Sequence, residues 1–388
     1  MRLLRFCLVP FALACVAILR LLRGRVRIGV LQGNRIGHLA GNVEVHLCER
    51  DAGVRPRAIE LWCSPYGCAN DYLMRMWGRV ITIDRTGFVA IVQKVNRLFK
   101  GWQRIEIESG NLDRDAHNLY EKYPPHLSFT EEEERRGQRE LVRMGIPRDA
   151  KWVCLIVRDG TYLPHLAYHR HRDSDIDSYA PAALALARRG YYVIRMGAKV
   201  AKPMPFATSH IIDYATNGMR SDFMDIYLTA KCAFALNNGA GLDAICCAFR
   251  RPSCYVNFVP VEYLATWNRG SLAIWKHHEK DGKRMTAAEI WASGAGGFMR
   301  TEEYEAAGIT LVDNSPDEIK AAAEEMANIA SIPEGWTVRD SIRNIDDGLT
   351  DQERFWRTFP RSISPYTQKP LHGEIRMRIG REFLKGYA

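Results

Sequence analysis

Runs of apolar residues alternate with helical patterns along most of the chain, and this alternation predicts two α/β domains. The first series opens with a continuous apolar strand at 26–31, followed by a glycine-rich loop at 33–42 and a helix from Val43 to about Arg50. Continuous apolar strands are typical of parallel sheets, which are buried on both faces. The series continues with strands at 58–62, 80–83 and 104–107 and with helices near 69–77 and 88–99.

A second series of the same kind begins with the apolar strand at 152–157. Strands that alternate with helices predict parallel sheets. The remaining predicted strands lie at 191–196, 210–213, 232–237, 253–258 and 309–313, and the helices at about 175–189, 222–230 and 240–249.

The linker between the two series follows a helix with clear start and stop signals. Thr130 and Glu133 form a capping box, and Gly145 with Pro147 ends the helix. The predicted divisions are an apolar and basic helix at 1–25, Rossmann-like domains at 26–147 and 151–345, and C-terminal residues at 346–388 that cross back or contact a membrane. Two such domains facing a central cleft fit the GT-B arrangement, and a periplasmic-binding-protein layout fits less well.

Charge is concentrated at the two ends of the 388-residue chain. The 54 lysines and arginines outnumber the 45 acidic residues, giving a net charge of +9. Residues 1–27 hold six arginines and no acid, and residues 361–388 hold six bases against two acids, so the body between them is close to neutral. This distribution excludes a nucleic-acid-binding protein with a basic face.

The apolar run from Phe6 to Leu19 lies between Arg5 and Arg20. It is shorter than the roughly twenty residues of a spanning helix. The dense arginines after it argue against a secretory signal, and Ala12-Leu13-Ala14-Cys15 is a poor match to a lipoprotein cleavage site. We expect a helix in the membrane interface with its arginines facing anionic head groups. A buried first helix or an uncleaved single span are the alternatives. The basic amphipathic segment at 375–385 either contacts the membrane or docks on the protein.

The ten cysteines show no paired CxxC spacing, and several lie inside apolar runs. This pattern predicts reduced, buried thiols in a cytosolic protein. Cys63 and Cys68, which flank a turn, are the pair that could form a disulfide.

Ligands of open α/β sheets bind beyond the carboxyl ends of the strands, so the segments after each strand hold the candidate chemistry. After the first strand, the glycines are spaced G-x3-G-x3-G, which is not the dinucleotide fingerprint, and NAD binding is not predicted. His38 is a candidate general base, or a helix-capping histidine. The same loop carries Asn34, Arg35, Gly37 and Asn42.

The strand at 152–157 is followed by Arg158 and Asp159 and then by a dense polar run at 168–175. An arginine at a strand end can bind phosphate through two parallel hydrogen bonds. An exposed loop rich in ion pairs is the alternative. His165, His169 and His171 have a spacing that could bind a metal, but the interleaved arginines argue against it, and no metal is expected.

Three further strand ends carry candidate phosphate-binding groups. Arg195 ends one strand, Asp213 and Tyr214 end the next, and Ser221 with Asp222 caps a helix whose first N–H groups favour anions. The sequence Asn237-Asn238-Gly239-Ala240-Gly241 then joins a buried strand to a helix. Small residues there would let a phosphate or sugar approach the backbone, although a tight structural turn also explains them.

These segments together resemble a bacterial family of glycosyltransferases found with surface-polysaccharide genes. The resemblance rests on VRDGTYL (157–163), YHRHRDSDIDSY (168–179), GYYVIRMG (190–197), IIDYATNGMRSDFMDIYL (211–228), FALNNGAGLDAICCAFRRPSCYVNFVP (234–260) and GNRIGHLAGNVEVHL (33–47). The family is GT-B-like and distantly similar to O-fucosyltransferases. The resemblance implies that Arg158 holds the donor phosphate beside Asn238, Gly239 and Gly241.

We therefore expect a membrane-associated, metal-independent glycosyltransferase without a cofactor, at the cytoplasmic face of the bacterial inner membrane. It would move a sugar from a GDP-, UDP- or CMP-type donor to a glycan or glycolipid during surface-polysaccharide synthesis. A nucleotide-sugar epimerase and a non-catalytic glycan-binding protein are the alternatives. The catalytic candidates are His38, Asp159 and His169; the donor candidates are Arg158, Arg172, Arg195, Asp213, Tyr214, Ser221, Asp222, Asn237, Asn238, Gly239 and Gly241; the acceptor-side loop holds Asn34, Arg35, Gly37 and Asn42.

Overall fold

A computed structural model describes residues 8–107, 114–162, 164, 167–331, 349–365 and 367–387. The chain divides into two compact units. The N-terminal unit comprises the residues up to 128 together with 365–368, and the C-terminal unit comprises 129–364 and 369–388. Arg5 and the start of the apolar run, His165, and the division at 345 lie outside the described residues.

The N-terminal unit is built on a parallel sheet with the order β1 (Val26–Val30), β2 (Ile59–Cys63) and β3 (Thr82–Ile83). Its helices are α1 (Val9–Leu21), α2 (Ile36–Asp51), α3 (Asp71–Trp77) and α4 (Phe88–Asn96). The strand predicted at 104–107 is reduced to one parallel bridge between Glu106 and Ile28. The apolar strands of the first series are otherwise placed where the sequence predicts them.

Helix α1 buries one face and leaves the other exposed. Ala12 and Val16 are buried in a cluster with Val92 and Val95 of α4. On the other face, Phe11, Ile18 and Leu21 are exposed by 67%, 56% and 80%. Among the residues described, no helix combines the length and the apolar character needed to cross a membrane. The helix therefore packs against its own unit along one side only.

The C-terminal unit contains a seven-stranded sheet in which every pair of neighbours is parallel. Its strands are β4 (Trp152–Ile156), β5 (Tyr192–Met196), β6 (Ile211–Ile212), β7 (Phe234–Asn237), β8 (Ser253–Phe258), β9 (Leu272–Trp275) and β13 (Arg378–Ile379). From the centre, β4, β5 and β6 follow one another to one edge, and β7, β8, β9 and β13 follow to the other. This is the strand order of a doubly wound, Rossmann-type sheet, and it reverses between β4 and β7.

The boundary between the units falls at 128/129 and not at the predicted 147–151. Helix α5 (Glu131–Arg143) belongs to the C-terminal unit because it packs on α7 (Asp222–Lys231). The Tyr227 hydroxyl donates to Glu134, and a Cβ at Gly137 would lie 2.2 Å from the Tyr227 ring. The Phe129 ring also contacts that of Tyr227. Such contacts depend on tertiary packing, which the Gly145 and Pro147 stop signal does not reveal.

The rest of the C-terminal unit surrounds the large sheet. An antiparallel sheet joins β10 (His277–Lys280) to β11 (Lys283–Arg284) and β12 (Ile309–Val312), so the strand predicted at 309–313 does not extend the parallel series. The remaining helices are α6 (Ala180–Arg188), α8 (Asp243–Ala248), α9 (Ala287–Ser293), α10 (Thr301–Ala306), α11 (Pro316–Ala330), α12 (Leu349–Thr358) and α13 (Arg381–Lys385).

The basic amphipathic segment near the C-terminus docks on the C-terminal unit. Strand β13 pairs with β9, and Ile379 is fully buried there. Phe383 and Leu384 of α13 are buried in the same core, where Phe383 packs edge-on against Trp275. Of the two interpretations of 375–385, the docking segment matches the structure.

Glu318 in the first turn of α11 supports a prediction about acid stability. Its carboxylate accepts from the Ser315 backbone N–H at 2.8 Å and lies 2.9 Å from His277 Nε2. Burial raises the pKa of Glu318, but these hydrogen bonds outweigh burial and lower it to about 2. The unfolded state therefore takes up a proton at higher pH than the folded state does. Stability from Glu318 is present above about pH 4.5 and is lost as the pH falls towards 2.

Replacing Glu318 by glutamine should lower the free energy of unfolding at pH 7 by about 1–2 kcal/mol, after allowance for partial solvent screening. Urea unfolding at pH 7 and pH 3 measures this loss, which should shrink at pH 3. Glu289→Gln is the matched control, because Glu289 completes an equivalent capping box with Thr286 on an exposed helix end. A loss of the same size at both pH values would contradict the assignment.

Candidate functional site

The candidate site lies where the strand order of the large sheet reverses. Strands β4 and β7 are parallel neighbours, with Ile156 opposite Asn237, so the segments that leave their carboxyl ends emerge side by side. These segments carry Arg158 and Asn238. In doubly wound sheets, ligands bind in the crevice at this reversal point. The structure thus brings together the two motifs that the sequence singles out most strongly.

The Asn238 side chain joins three backbone segments at this point. It is fully buried; its Oδ1 accepts from the Arg158 N–H at 2.9 Å, and its Nδ2 donates to the carbonyls of Arg158 and Arg172 at 3.4 and 3.1 Å. The buried Asn237 Oδ1 accepts from the Gly239 N–H at 2.9 Å. Both predicted donor-binding asparagines therefore hold the loop in shape from inside.

The turn after Asn238 presents backbone N–H groups. Gly239 and Gly241 have φ angles of +76° and +80°, in the left-handed region that favours glycine. A Cβ at Gly239 would lie 2.7 Å from Phe258 Cε2. The N–H groups of the half-buried Ala240 and Gly241 donate to no acceptor within the described part of the chain. The predicted helix at 240–249 is shorter than expected, because α8 begins only at Asp243.

Two arginines lie beside this turn, and a lysine contacts the segment that pairs with one of them. The Arg158 Nε donates to Asp173 Oδ1 at 2.9 Å, and an Arg172 guanidinium nitrogen donates to the Gly239 carbonyl at 2.6 Å. The buried Lys276 Nζ donates to the Asp173 carbonyl at 2.6 Å and pairs with Asp313 at 2.7 Å. Lys276 was not predicted. It directly follows β9, and the strand-end rule would have found it had the strand at 272–275 been predicted.

Burial shifts the titration of two neighbouring groups, and the nearby cations add to one shift and oppose the other. Burial lowers the pKa of His171, and the charges of Arg172, His169 and Lys276 lower it further, to about 3. His171 is therefore neutral near pH 7. Burial raises the pKa of Asp173 above its ordinary value, although Arg158 acts in the opposite direction. Burial therefore outweighs the charge of Arg158 at Asp173, whereas burial and the neighbouring cations act together at His171.

Arg195, by contrast, is enclosed. Its side chain is 1% exposed, its guanidinium lies 3.3 Å from Asp213 Oδ1, and it donates to the Lys202 carbonyl at 3.2 Å. Asp159 accepts from the Ala201 N–H at 2.6 Å and from the Thr161 N–H at 3.1 Å. Arg195, Asp159 and Asp213 thus position the loops around residues 197–204. In this arrangement the Arg195 guanidinium offers no surface to a ligand.

Tyr214, Ser221 and Asp222 lie around the start of α7. The Tyr214 hydroxyl accepts from the Ser221 N–H at 2.9 Å and contacts Asp225 at 3.1 Å. Ser221 caps the helix by accepting from the Met224 N–H. Because Asp222 and Asp225 already complement this helix end, it differs from the anion-binding end that the sequence suggested.

His169 and His171 lie in a short 3-10 helix, Ala167–Arg172. Their ring centroids are 6.1 Å apart, and the His169 ring packs on Tyr168 at 4.1 Å. His171 Nδ1 lies 3.1 Å from the Thr301 hydroxyl. The catalytic role of His169 stays a prediction.

The N-terminal unit presents its own candidate residues after β1. The predicted loop at 33–42 is a short turn followed by α2, which starts at Ile36, so Gly37, His38 and Asn42 are helical. Asn34 and Arg35 are exposed at the turn. His38 is half-buried, and its Nδ1 lies 3.4 Å from Asn42 Oδ1. Asn42 therefore orients the imidazole that we predicted as a general base.

Glycine is required at the start of this turn. A Cβ at Gly33 would lie 2.3 Å from the Gly67 carbonyl and 2.6 Å from the Ser64 hydroxyl, in the loop after β2. The same loop holds Cys68, which is exposed, while Cys63 is buried and contacts the Gly29 carbonyl. The cysteines within the described ranges form no disulfide, so the suggested pairing of Cys63 with Cys68 is wrong.

Comparison with known proteins gives two solved structures of related shape. One is a glycosyltransferase family 9 protein from Veillonella parvula, with 12% sequence identity and a TM-score of 0.46 over 78% of this chain and 97% of that one. The other is the iron-containing heptosyltransferase TibC, in complex with ADP-D-beta-D-heptose, with 10% identity and a TM-score of 0.40 over 79% and 77% of the two chains. No protein-family model matches the chain, and no curated protein does.

Proposed function

We propose that the protein is a glycosyltransferase whose C-terminal unit binds the diphosphate of a nucleotide-sugar donor. The observation that carries this proposal is the meeting of Arg158, Arg172 and the Gly239–Gly241 turn at the reversal point of the parallel sheet. The resemblance of residues 157–260 to bacterial glycosyltransferases adds the reaction class. The proposed donor is a nucleotide sugar of the GDP, UDP or CMP type.

The chemistry that these groups can supply is stabilisation of the leaving nucleotide. When the bond between sugar and diphosphate breaks, negative charge accumulates on the departing phosphate oxygen. Arg158 and Arg172 would neutralise that charge, and the N–H groups of Ala240 and Gly241 would donate to the phosphate. No metal ion is needed for this role. Lys276 would support this arrangement by donating to the carbonyl of Asp173, the residue that pairs with Arg158.

In this proposal the N-terminal unit takes the acceptor, and, if the reaction inverts the sugar, His38 removes the proton from the attacking hydroxyl. The hydrogen bond to Asn42 fixes the ring so that the other nitrogen is available to a substrate. Exposed Asn34 and Arg35 would contact the glycan or glycolipid. The acceptor would belong to surface-polysaccharide synthesis, as the sequence resemblance implies.

We also propose that the exposed face of α1 holds the enzyme on an anionic membrane at the cytoplasmic side. Phe11, Ile18 and Leu21 supply the apolar contact. Arg23 and Arg25, which follow the helix and are exposed, would meet the head groups. A peripheral helix of this kind suits an enzyme that works on a lipid-linked acceptor.

Changing Phe11, Ile18 and Leu21 together to serine should abolish sedimentation with anionic lipid vesicles, because each side chain loses apolar contact with the bilayer. The matched control changes Val142 and Ile363, which are also exposed apolar residues, to serine. Equal sedimentation of the triple variant and the wild type would exclude α1 as the attachment site.

The reaction class is tested by incubating the purified protein with radiolabelled nucleotide sugars and bacterial lipid-linked glycan acceptors. We expect labelled glycan and one free nucleotide for each sugar transferred. Conversion of the donor into an isomeric nucleotide sugar, without release, would establish an epimerase instead. If no donor, whatever its base, gave either labelled glycan or an isomeric nucleotide sugar, the proposed function would be contradicted.

A further inference from the structure

A group of side chains in the N-terminal unit combines three kinds of metal-binding atom and has no part in the proposed transfer. Glu44 and Cys48 lie one turn apart on α2, and both are fully buried. His126 reaches the same point from the far end of the unit's sequence. One carboxylate oxygen, the thiol sulfur and one imidazole nitrogen all lie within 4.8 Å of one another.

The distances match the ligand spacing of a tetrahedral zinc site. Glu44 Oε1 lies 3.2 Å from His126 Nδ1 and 3.8 Å from Cys48 Sγ. Bond lengths of about 2.0 Å to oxygen and nitrogen and about 2.3 Å to sulfur separate tetrahedral ligands by about 3.3–3.7 Å. Glu44 therefore already lies at ligand spacing from both partners, and His126 Nδ1 and Cys48 Sγ, which lie within 4.8 Å of each other, would draw together around a bound ion.

The second nitrogen of His126 is held in the manner of a metal-bound histidine. His126 Nε2 lies 3.0 Å from Asp51 Oδ2, farther along α2. Metal-binding histidines usually donate their other N–H to such a carboxylate, which fixes the tautomer and the ring orientation. Here that contact turns Nδ1 towards Glu44 and Cys48.

We propose that Glu44, Cys48 and His126 bind one divalent transition-metal ion of the zinc type, with Asp51 orienting His126. Thiolate, imidazole and carboxylate together suit zinc better than magnesium or calcium, which prefer oxygen ligands alone. On binding, the Cys48 thiol and His126 Nδ1 lose their protons to solvent, and water completes the tetrahedron. The ion would connect α2 to the segment around residue 126.

Cobalt titration of the full-length, chelator-stripped protein tests this site. We expect one Co²⁺ per chain, with the visible absorption of tetrahedral cobalt and a thiolate-to-cobalt charge-transfer band, both removed by added Zn²⁺. Cys48→Ser should abolish the charge-transfer band. Cys68→Ser should retain it, because Cys68 is exposed on another loop. Zn²⁺ alone should also raise the unfolding temperature of the wild type.

Two results would overturn the proposal. One is the failure of the wild type to bind stoichiometric Co²⁺ in tetrahedral form, which would leave His126 as a cation held between Glu44 and Asp51. The other is an unchanged charge-transfer band in Cys48→Ser. Should that variant not fold, His126→Asn provides the second test, since it should lose tight binding of Co²⁺ and the stabilisation by Zn²⁺.

Discussion

Replacing Arg158 by alanine should reduce sugar transfer by about 100- to 1,000-fold, the effect of removing a preorganised group that stabilises developing negative charge. The fold should survive the change. The Asn238 side chain holds this segment through the backbone N–H and carbonyl of Arg158, so removal of the guanidinium leaves that clamp intact. Steady-state release of nucleotide and circular dichroism measure the two halves of this prediction.

Arg158→Lys and Arg188→Ala are the companion variants. Lysine keeps the charge but cannot form two parallel hydrogen bonds to one phosphate, so we expect an intermediate rate. Arg188 lies in the last turn of α6 with its side chain exposed, and its loss should leave the rate unchanged. If Arg158→Ala transferred sugar at close to the wild-type rate, the donor-phosphate role would be excluded.

Replacing Gly239 by alanine should have the second large effect, because this position combines two constraints. The φ angle of +76° costs an L-residue about 1–2 kcal/mol. The added Cβ would also lie 2.7 Å from Phe258 Cε2, and overpacking a buried ring costs about 1–3 kcal/mol more. We expect the variant to lose about 2–5 kcal/mol of unfolding free energy in urea and to lose donor binding as the turn shifts.

Gly190→Ala separates the two constraints. Gly190 has a φ angle of +85°, but a Cβ there would meet no atom within 4 Å. The unfolding free energy of this control should therefore fall only by the cost of the backbone conformation, about 1–2 kcal/mol, and the variant should bind donor normally. Equal losses in the two variants would show that the contact with Phe258 has no influence on the loop.

The sequence predicts the strands of the large sheet well, and it predicts that Arg158 and the Asn237–Gly241 turn follow two of them, for a definite physical reason. Buried parallel strands such as β4, β7 and β8 are continuous apolar runs, and ligand-binding groups of doubly wound sheets follow such strands. Arg158 and the Asn237–Gly241 turn were found in this way. The structure adds that their strands are neighbours, which a single sequence does not determine.

The direction in which a polar side chain points could not be predicted. Asn238 and Arg195 are residue types that often contact ligands at strand ends. In the structure, however, the Asn238 side chain hydrogen-bonds to buried backbone groups and Arg195 pairs with Asp213. Both contacts join residues that are distant in the sequence. Helix α2 was also predicted too short, because Gly37 and Gly41 lower helix propensity while tertiary packing favours the helix.

Calorimetric titration of the wild type with the nucleoside diphosphates GDP, UDP, CDP, dTDP and ADP tests the central claim most directly. The proposed site predicts that one of them binds at one molecule per chain without added metal. It also predicts that Arg158→Ala weakens that binding by about 100-fold, the value expected for two charge-assisted hydrogen bonds. Binding of none of the five, or equal affinity in Arg158→Ala, would contradict the assignment of this sheet edge as the donor site.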